Sequence, residues 1–372
     1  MKKLVIIGPL PPPFMGPAVA TKRFIESEFL KSKLEVIHFD TTDKEGIEEI
    51  GLLNFNNIFQ GLKHSFLFIL CLLKHKPDVV YISIARGFWG FLRDLFFIIP
   101  SKIFFVKVIV HLRAGRFDII HDNGILGKAI AQIGLMFCDK ALVLGKTLMG
   151  VFGESINSNK VSILCNGMLL EGWDAGKWQD ERHNKNTFNI VCISNLYHDK
   201  GIHILISSMP EVLIQFPDVV LNIAGDWQGV DYDKMCYKII EENSLSNCVN
   251  ILKRVNDEQK KELLRNSDVA VFVPVAPEGL PWVVLEAMSA ALPVIGTSQG
   301  TMNEVIQNEF TGFIIPTNDV KNLSKIIIEL LNDKELRLDM GNNGRKRVED
   351  FYSEKITHNN LVDIVFNVLT KK

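Results

Sequence analysis

At 372 residues the chain exceeds the usual single core, and two domains are expected. Hydrophobic residues at 47% and charged residues at 23% are ordinary for a soluble globular protein with buried sheets. With 43 acidic against 41 basic side chains it lacks the basic excess of a nucleic-acid binder, so no nucleic-acid partner is expected. Six cysteines (Cys71, Cys138, Cys165, Cys192, Cys236, Cys248) form no C-x-x-C pair and read as reduced core thiols of a cytosolic protein, not as a disulfide frame or zinc site.

The apolar run Leu4 to Ile7 stops at Gly8 and a cluster of prolines, too short for a signal segment, and reads as the first buried strand. Gly16 permits close backbone approach in the following loop, and Ala18 to Phe29 reads as a helix. LEVIHFD is a second strand, Asp43 to Glu49 a polar loop, and Ile58 to His75 a helix apolar round most of its surface. Such a helix packs on the sheet and has apolar surface left for lipid headgroups. PDVVYISI is a third strand, GFWGFLRDLFFIIP a helix and KVIVHL a fourth strand. Ser65 to Leu73 and Phe96 to Pro100 are the most lipid-like stretches, both far short of the ~20 residues that span a bilayer.

The fourth strand ends in HLRAGRFD, and carboxyl ends of parallel strands line the ligand crevice of such sheets. His111 is either a site residue or a core histidine donating to a carbonyl, while Arg113 and Arg116 are candidates to hold phosphate or an acidic acceptor in a guanidinium fork. FCDKALVLGKTLMGVFG reads as a helix end, a strand and a further helix, and KVSILCNGM as the last strand of the first half. EGWDAGKWQDERHNKN is polar and charged, the best linker candidate. The expected division is 1–172, a linker at 173–186, 187–352, and a final helix over 353–372.

The second half opens with a strand to Ile193, a loop from Ser194 to Lys200 and an apolar helix after Gly201, which puts Lys200 ahead of a helix N-terminus, a position suited to phosphate. VVLNIAGDWQG is the next strand and loop. Asp231 and Asp233 then read as caps of a helix over Tyr232 to Glu242 and not as a metal site, and no metal is expected. After a strand ending near Pro274 comes EGLPWVVLEAMSAALPVIGTSQGTMNE: a loop with Glu278, a helix from Pro281 to Ala291, a short strand, a small-residue loop from Gly296 to Gly300, and a helix start at Thr301 whose N–H groups can face an anion. Two carboxylates, Glu278 and Glu286, therefore come to one edge of a parallel sheet beside a phosphate-sized cradle. Carboxylates orient hydroxyls and backbone N–H groups suit phosphate oxygens, so the site fits a ligand carrying both.

Glu278-(x)7-Glu286 within this stretch resembles the signature of the retaining glycosyltransferases of family 4. The likeness continues through GFIIPTNDVKNLSKIIIELLNDKELRLDMGNNGRKRVEDFY. It implies an α/β chain of the GT-B fold: two Rossmann-like domains facing across a cleft, with the C-terminal helix (Glu354 to Leu369) crossing back to the first domain. It implies transfer of a sugar from a UDP- or GDP-sugar to an acceptor hydroxyl with retention, without metal or other cofactor. By the same resemblance Lys200, the Gly300-Thr301 helix start and Arg254 stabilise the departing diphosphate. Glu278 orients the sugar hydroxyls, Gly279 and Leu280 line the donor, Glu286 takes the ribose hydroxyls, Gly16 contacts the donor through its backbone, and His111 approaches the sugar. Two positions depart from the family pattern, Asn195 where an arginine often stands and Arg113 where relatives carry a second histidine. GPLPPPFMGPAVAT resembles members that build surface polysaccharides, which implies a lipid-linked saccharide acceptor and a cytoplasmic protein touching the inner membrane. A nucleotide-sugar epimerase, a sugar phosphorylase and a non-catalytic sugar-nucleotide-binding protein are the alternative readings.

Overall fold

A computed structural model of the chain describes residues 1–12, 15–42, 55–183 and 187–370. The polar loop expected at Asp43 to Glu49 lies outside them. Two compact units are formed, Met1–Gly167 together with Glu354–Lys372, and Met168–Ser353.

The first unit runs β1 (Lys2–Gly8), α1 (Gly16–Glu26), α2 (Glu28–Lys33), β2 (Leu34–Asp40), α3 (Phe55–His75), β3 (Val79–Ile84), α4 (Phe88–Ile103), β4 (Lys107–Leu112), α5 (Asp118–Asp122), α6 (Gly124–Met136), β5 (Lys140–Val143) and β6 (Val161–Ile163). Its sheet is parallel in the order β2-β1-β3-β4-β5-β6. Helices cover both faces, so the inner strands read as unbroken apolar runs such as VVYISI, buried along nearly their whole length. One core joins Leu4, Ile6, Phe24, Leu30 and Tyr81; the other helix layer is α3 against α4 and α4 against α6.

Two local expectations change here. The helix expected over Ala18 to Phe29 is cut at Ser27, whose hydroxyl accepts from Leu30 N (3.1 Å) and caps α2. GKTLMGVFG forms 3-10 turns at Lys146–Leu148 and Gly153–Ser155 instead of a helix.

The second unit runs α7 (Ala175–His183), β7 (Asn189–Ile193), α8 (Ile202–Gln215), β8 (Val220–Ala224), α9 (Tyr232–Glu242), β9 (Val249–Leu252), α10 (Asp257–Asn266), β10 (Val269–Phe272), α11 (Trp282–Ser289), β11 (Val294–Thr297), α12 (Met302–Val305), β12 (Gly312–Ile315), α13 (Val320–Asn332) and α14 (Lys334–Phe351). Its parallel sheet has the order β12-β11-β10-β7-β8-β9. The chain therefore reverses direction across the sheet between β7 and β10, and ligands of open α/β sheets bind outside the carboxyl ends of strands at such a switch point.

The last helix, α15 (Glu354–Thr370), belongs to the first unit. It packs on α2 and sends Leu361, Val365 and Val368 into that core, as expected for a helix that crosses back. The linker expectation is corrected. Its first described part is α7, with Trp173 and Trp178 buried and their rings 5.7 Å apart. Arg182 donates to the carbonyls of Leu264 (3.3 Å) and Ala290 (3.0 Å), and Arg265 forks onto Glu181 at 2.5 and 2.7 Å. The polar composition misled because Arg182 and Glu181 are held by neighbouring elements while Lys177 and Asp180 face solvent, so the segment is part of the second unit, and the opening stretch of the first unit ends at Gly167.

No helix among the described residues is long and apolar enough to cross a membrane. Four of the cysteines are buried and none is in a disulfide.

Candidate active site

The switch point of the second unit is where the chemistry gathers. Lys200 ends the loop after β7, and Gly201 then takes φ +70° so closely against β10 that a Cβ would lie 2.1 Å from Val273 O. Only glycine fits that approach in that conformation. Val275 N donates to Asp199 O (2.8 Å), which ties the two loops together. The result is an ion pair between Lys200 Nζ and Glu278 Oε1, with the ammonium 5.1 Å from the Tyr197 ring centre and 5.7 Å from that of Phe272. Burial pulls the Lys200 ammonium toward deprotonation, but the Glu278 carboxylate and Tyr197 outweigh it and hold the group above its usual lysine value, fully charged.

The loop after β11 closes this side. Gly300, at φ +58°, lies against the Glu278 backbone so tightly that a Cβ would sit 1.7 Å from Glu278 O. Thr301 is buried and donates to Gly279 O, and Thr297 Oγ1 donates to Pro274 O (2.5 Å). The anion cradle expected here is reduced: α12 is only four residues long, and Met302 N (3.2 Å) and Glu304 N (2.9 Å) bond back to Gln299 and Thr301 carbonyls. Gly300 and Thr301 thus shape the Glu278 loop. Gly279 and Leu280 are buried, so they line the edge through backbone.

Glu286 lies on α11, which begins at Trp282 because Pro281 takes the capping position. The carboxylate is buried and accepts from Lys260 Nζ at 2.6 Å, and Lys260 also reaches Asp257 at 3.2 Å. Sequence reasoning missed Lys260. Its signal was a place one turn before Leu264, the residue that this amphipathic helix buries. Burial opposes its charge, but Glu286 and Asp257 prevail and hold it above the usual lysine value.

Arg254 follows β9 and pairs with Asp226 (3.9 Å), whose carboxylate also accepts from Arg254 N (3.3 Å). Asn195 is exposed in the loop after β7. The Asp231 carboxylate does not cap α9; it accepts from Lys234 (2.6 Å). Among the described residues no three or more His, Cys, Asp or Glu side chains gather to hold a metal ion.

The remaining expected residues belong to the first unit. Gly16 opens α1 after the carboxyl edge of β1. His111 is fully buried in β4, with Nδ1 2.7 Å from Tyr81 Oη and, among the described residues, no hydrogen-bond partner for Nε2. Burial, with Arg113 adding, holds it well below the usual histidine range, so it is neutral. Arg113 is turned inward over the Phe24 ring (5.3 Å), donating to Tyr81 Oη (3.0 Å) and Asn166 Oδ1 (2.6 Å). Arg116 is spent on Asp122 and Asp118. Arg113 is thus held within the unit, whereas Arg116 is exposed and paired with two aspartates.

Comparison with known proteins agrees with this architecture. Residues 177–347 match the family model of glycosyl transferases group 1. The chain is 27% identical over 367 residues to a capsular polysaccharide biosynthesis glycosyltransferase, CapM, of Staphylococcus aureus, covering 93% of each chain. It is 25% identical over 226 residues to a UDP-Gal:alpha-D-GlcNAc-diphosphoundecaprenol alpha-1,3-galactosyltransferase of Escherichia coli, covering 58% of this chain and 57% of that protein. Anabaena Alr3699/HepE, solved in complex with UDP-glucose, superposes with a TM-score of 0.76 over 99% of this chain and 100% of that one at 16% identity, a likeness of fold. Two Rossmann-like units and the return of the last helix to the first unit give this chain the GT-B fold, and its second unit is similar to the glycosyl transferases group 1.

Proposed function

We propose that the chain transfers a glycosyl group from a UDP- or GDP-sugar to an acceptor hydroxyl with retention of anomeric configuration, in the assembly of a cell-surface polysaccharide. The observation that carries this reading is the Lys200–Glu278 pair at the switch point of the second sheet. A fixed ammonium there supplies the charge a departing diphosphate needs, and the neighbouring carboxylate accepts hydrogen bonds from sugar hydroxyls. Glu286, with one oxygen taken by Lys260, keeps the other for the ribose hydroxyls. In the transfer the bond from the anomeric carbon to the diphosphate oxygen breaks, the acceptor oxygen bonds that carbon, and the acceptor proton passes to the leaving phosphate. No protein nucleophile and no metal ion enters this scheme.

The names of the relatives support the biological setting: capsular polysaccharide for one, a diphosphoundecaprenol acceptor and a UDP-linked donor for another. The proposed reading includes a lipid-linked saccharide acceptor, with the protein working at the inner face of the cytoplasmic membrane. The test is turnover of radiolabelled UDP- and GDP-sugars by the purified protein with lipid-linked saccharides, with and without chelator. Transfer that persists in chelator and is lost in Glu278→Ala is expected. Conversion of free nucleotide sugar without acceptor would establish an epimerase instead, phosphate-dependent release a phosphorylase, and donor binding without turnover a non-catalytic binder.

A further inference from the structure

In the first unit, the helix layer formed by α3, α4 and α6 is apolar on both sides. Phe68 and Leu72 of α3, Phe97 and Ile98 of α4 and Leu135 of α6 are buried, which accounts for the inner side. The outer side carries a second apolar stripe at helical spacing: Phe66, Leu70 and Leu73 on α3, and Phe96, Ile99 and Ile103 on α4, all exposed. Ile133 and Met136 extend it on α6, which approaches α4 so closely that a Cβ on Gly134 would meet Phe91 at 2.7 Å. At the end of α4, Phe105 holds φ +58° with 95% of its surface exposed. A bulky residue in that conformation is strained, and here the strain presents an aromatic ring to solvent.

Charge decides what covers this face. Lys63, Lys74 and Lys128 on these helices are exposed, while their one acidic residue, Asp94, is buried and taken by Arg93 and Ala85 N. A second copy related by a two-fold axis would set this cationic face against itself. A bilayer carrying anionic headgroups complements both the lysines and the apolar stripe. We propose that the outer face of α3, α4 and α6 is the docking surface for an anionic lipid bilayer, with the apolar side chains at the acyl boundary and the lysines at the headgroups. This deepens the membrane-side reading above by naming its surface, and its test is separable from donor binding.

The experiment is flotation of the purified full chain with phosphatidylcholine vesicles, with and without phosphatidylglycerol, alongside the thermal shift produced by nucleotide sugars. Two variants are compared, Leu70→Ser/Ile99→Ser/Phe105→Ser and Lys63→Gln/Lys74→Gln. Wild type is expected to partition onto the acidic vesicles, weakly onto the neutral ones, and less at high salt. Each lysine near a charged surface is worth about fivefold in partitioning, so the lysine variant is expected to lose about 25-fold. The apolar variant is expected to lose binding altogether, and both keep the wild-type donor shift because the changed side chains are exposed. Wild type that stays with the bulk, or variants that float as wild type does, would overturn the surface while leaving the donor reading intact. A concentration-dependent dimer abolished by the apolar variant, without change in flotation, would assign the face to a second copy.

Discussion

The Lys200–Glu278 pair can be weighed by a double-mutant cycle using Lys200→Met and Glu278→Gln. The two side chains keep 12% and 18% of their surface, so the pair stands between the exposed limit, about 0.2–1 kcal/mol of coupling, and the buried limit, where removing one partner costs about 3–5 kcal/mol. Lys200→Met leaves a carboxylate at the buried edge without its cation, and about 3 kcal/mol is expected for it. Glu278→Gln is expected to cost less, about 1–2 kcal/mol, because the ammonium keeps the faces of Tyr197 and Phe272. The double mutant should recover about 2 kcal/mol relative to the sum, equivalent to about thirtyfold in an equilibrium constant. Calorimetry of the second unit's transition reads these costs as about 2–4 °C per kcal/mol for a unit of this size. A coupling below about 0.5 kcal/mol, or a Glu278→Gln cost equal to that of Lys200→Met, would refute the argument that burial and aromatic faces set the strength of this pair.

Three further outcomes are expected. Gly300→Ala should destabilise the second unit by about 2–5 kcal/mol, from the left-handed conformation and from a methyl placed 1.7 Å from Glu278 O, and should weaken donor-induced thermal shifts; an unchanged unfolding midpoint would count against it. Arg182→Met should cost about 3 kcal/mol in urea unfolding, since it leaves the ends of α10 and α11 without their buried donor, and a cost below about 1 kcal/mol would return 173–183 to the status of a linker. His358, on α15, is held down at about 4 from 6.5, first by burial and then by Arg23, beside Ser27 Oγ at 2.8 Å. The unfolded chain therefore binds the proton first, so the contribution of this group is full above about pH 6.5 and is lost as pH falls toward about 4, at most about 3 kcal/mol. His358→Asn should flatten the pH dependence of stability across that window, and an unchanged slope would dismiss the role.

Much of the second unit was legible from local pattern. Apolar runs marked four of its six strands, β7, β8, β10 and β11, because strands buried on both faces have no polar positions to spare, while β9 and β12 went unread. Lys200 and Glu278 were readable as residues of turns at carboxyl strand ends. Their pairing was not, because Glu278 lies far along the chain from Lys200 and meets it only where β10 docks beside β7.

The same distinction accounts for the failures. The 173–183 segment is polar by composition, and only the carbonyls of α10 and α11 reveal that Arg182 is a buried donor and the two tryptophans are core. Ser27 looks like any serine within a helix until its hydroxyl caps α2 and meets His358 from the other end of the chain. His111 ends an apolar strand in either reading, and the packing of Tyr81 and Arg113 around it makes it a neutral core residue. Local periodicity specifies strands and helices because each residue carries its own preference for water. Which charges become paired, which carbonyls gain donors and which histidine is sealed from solvent are properties of distant segments brought together, so only the folded chain decides them.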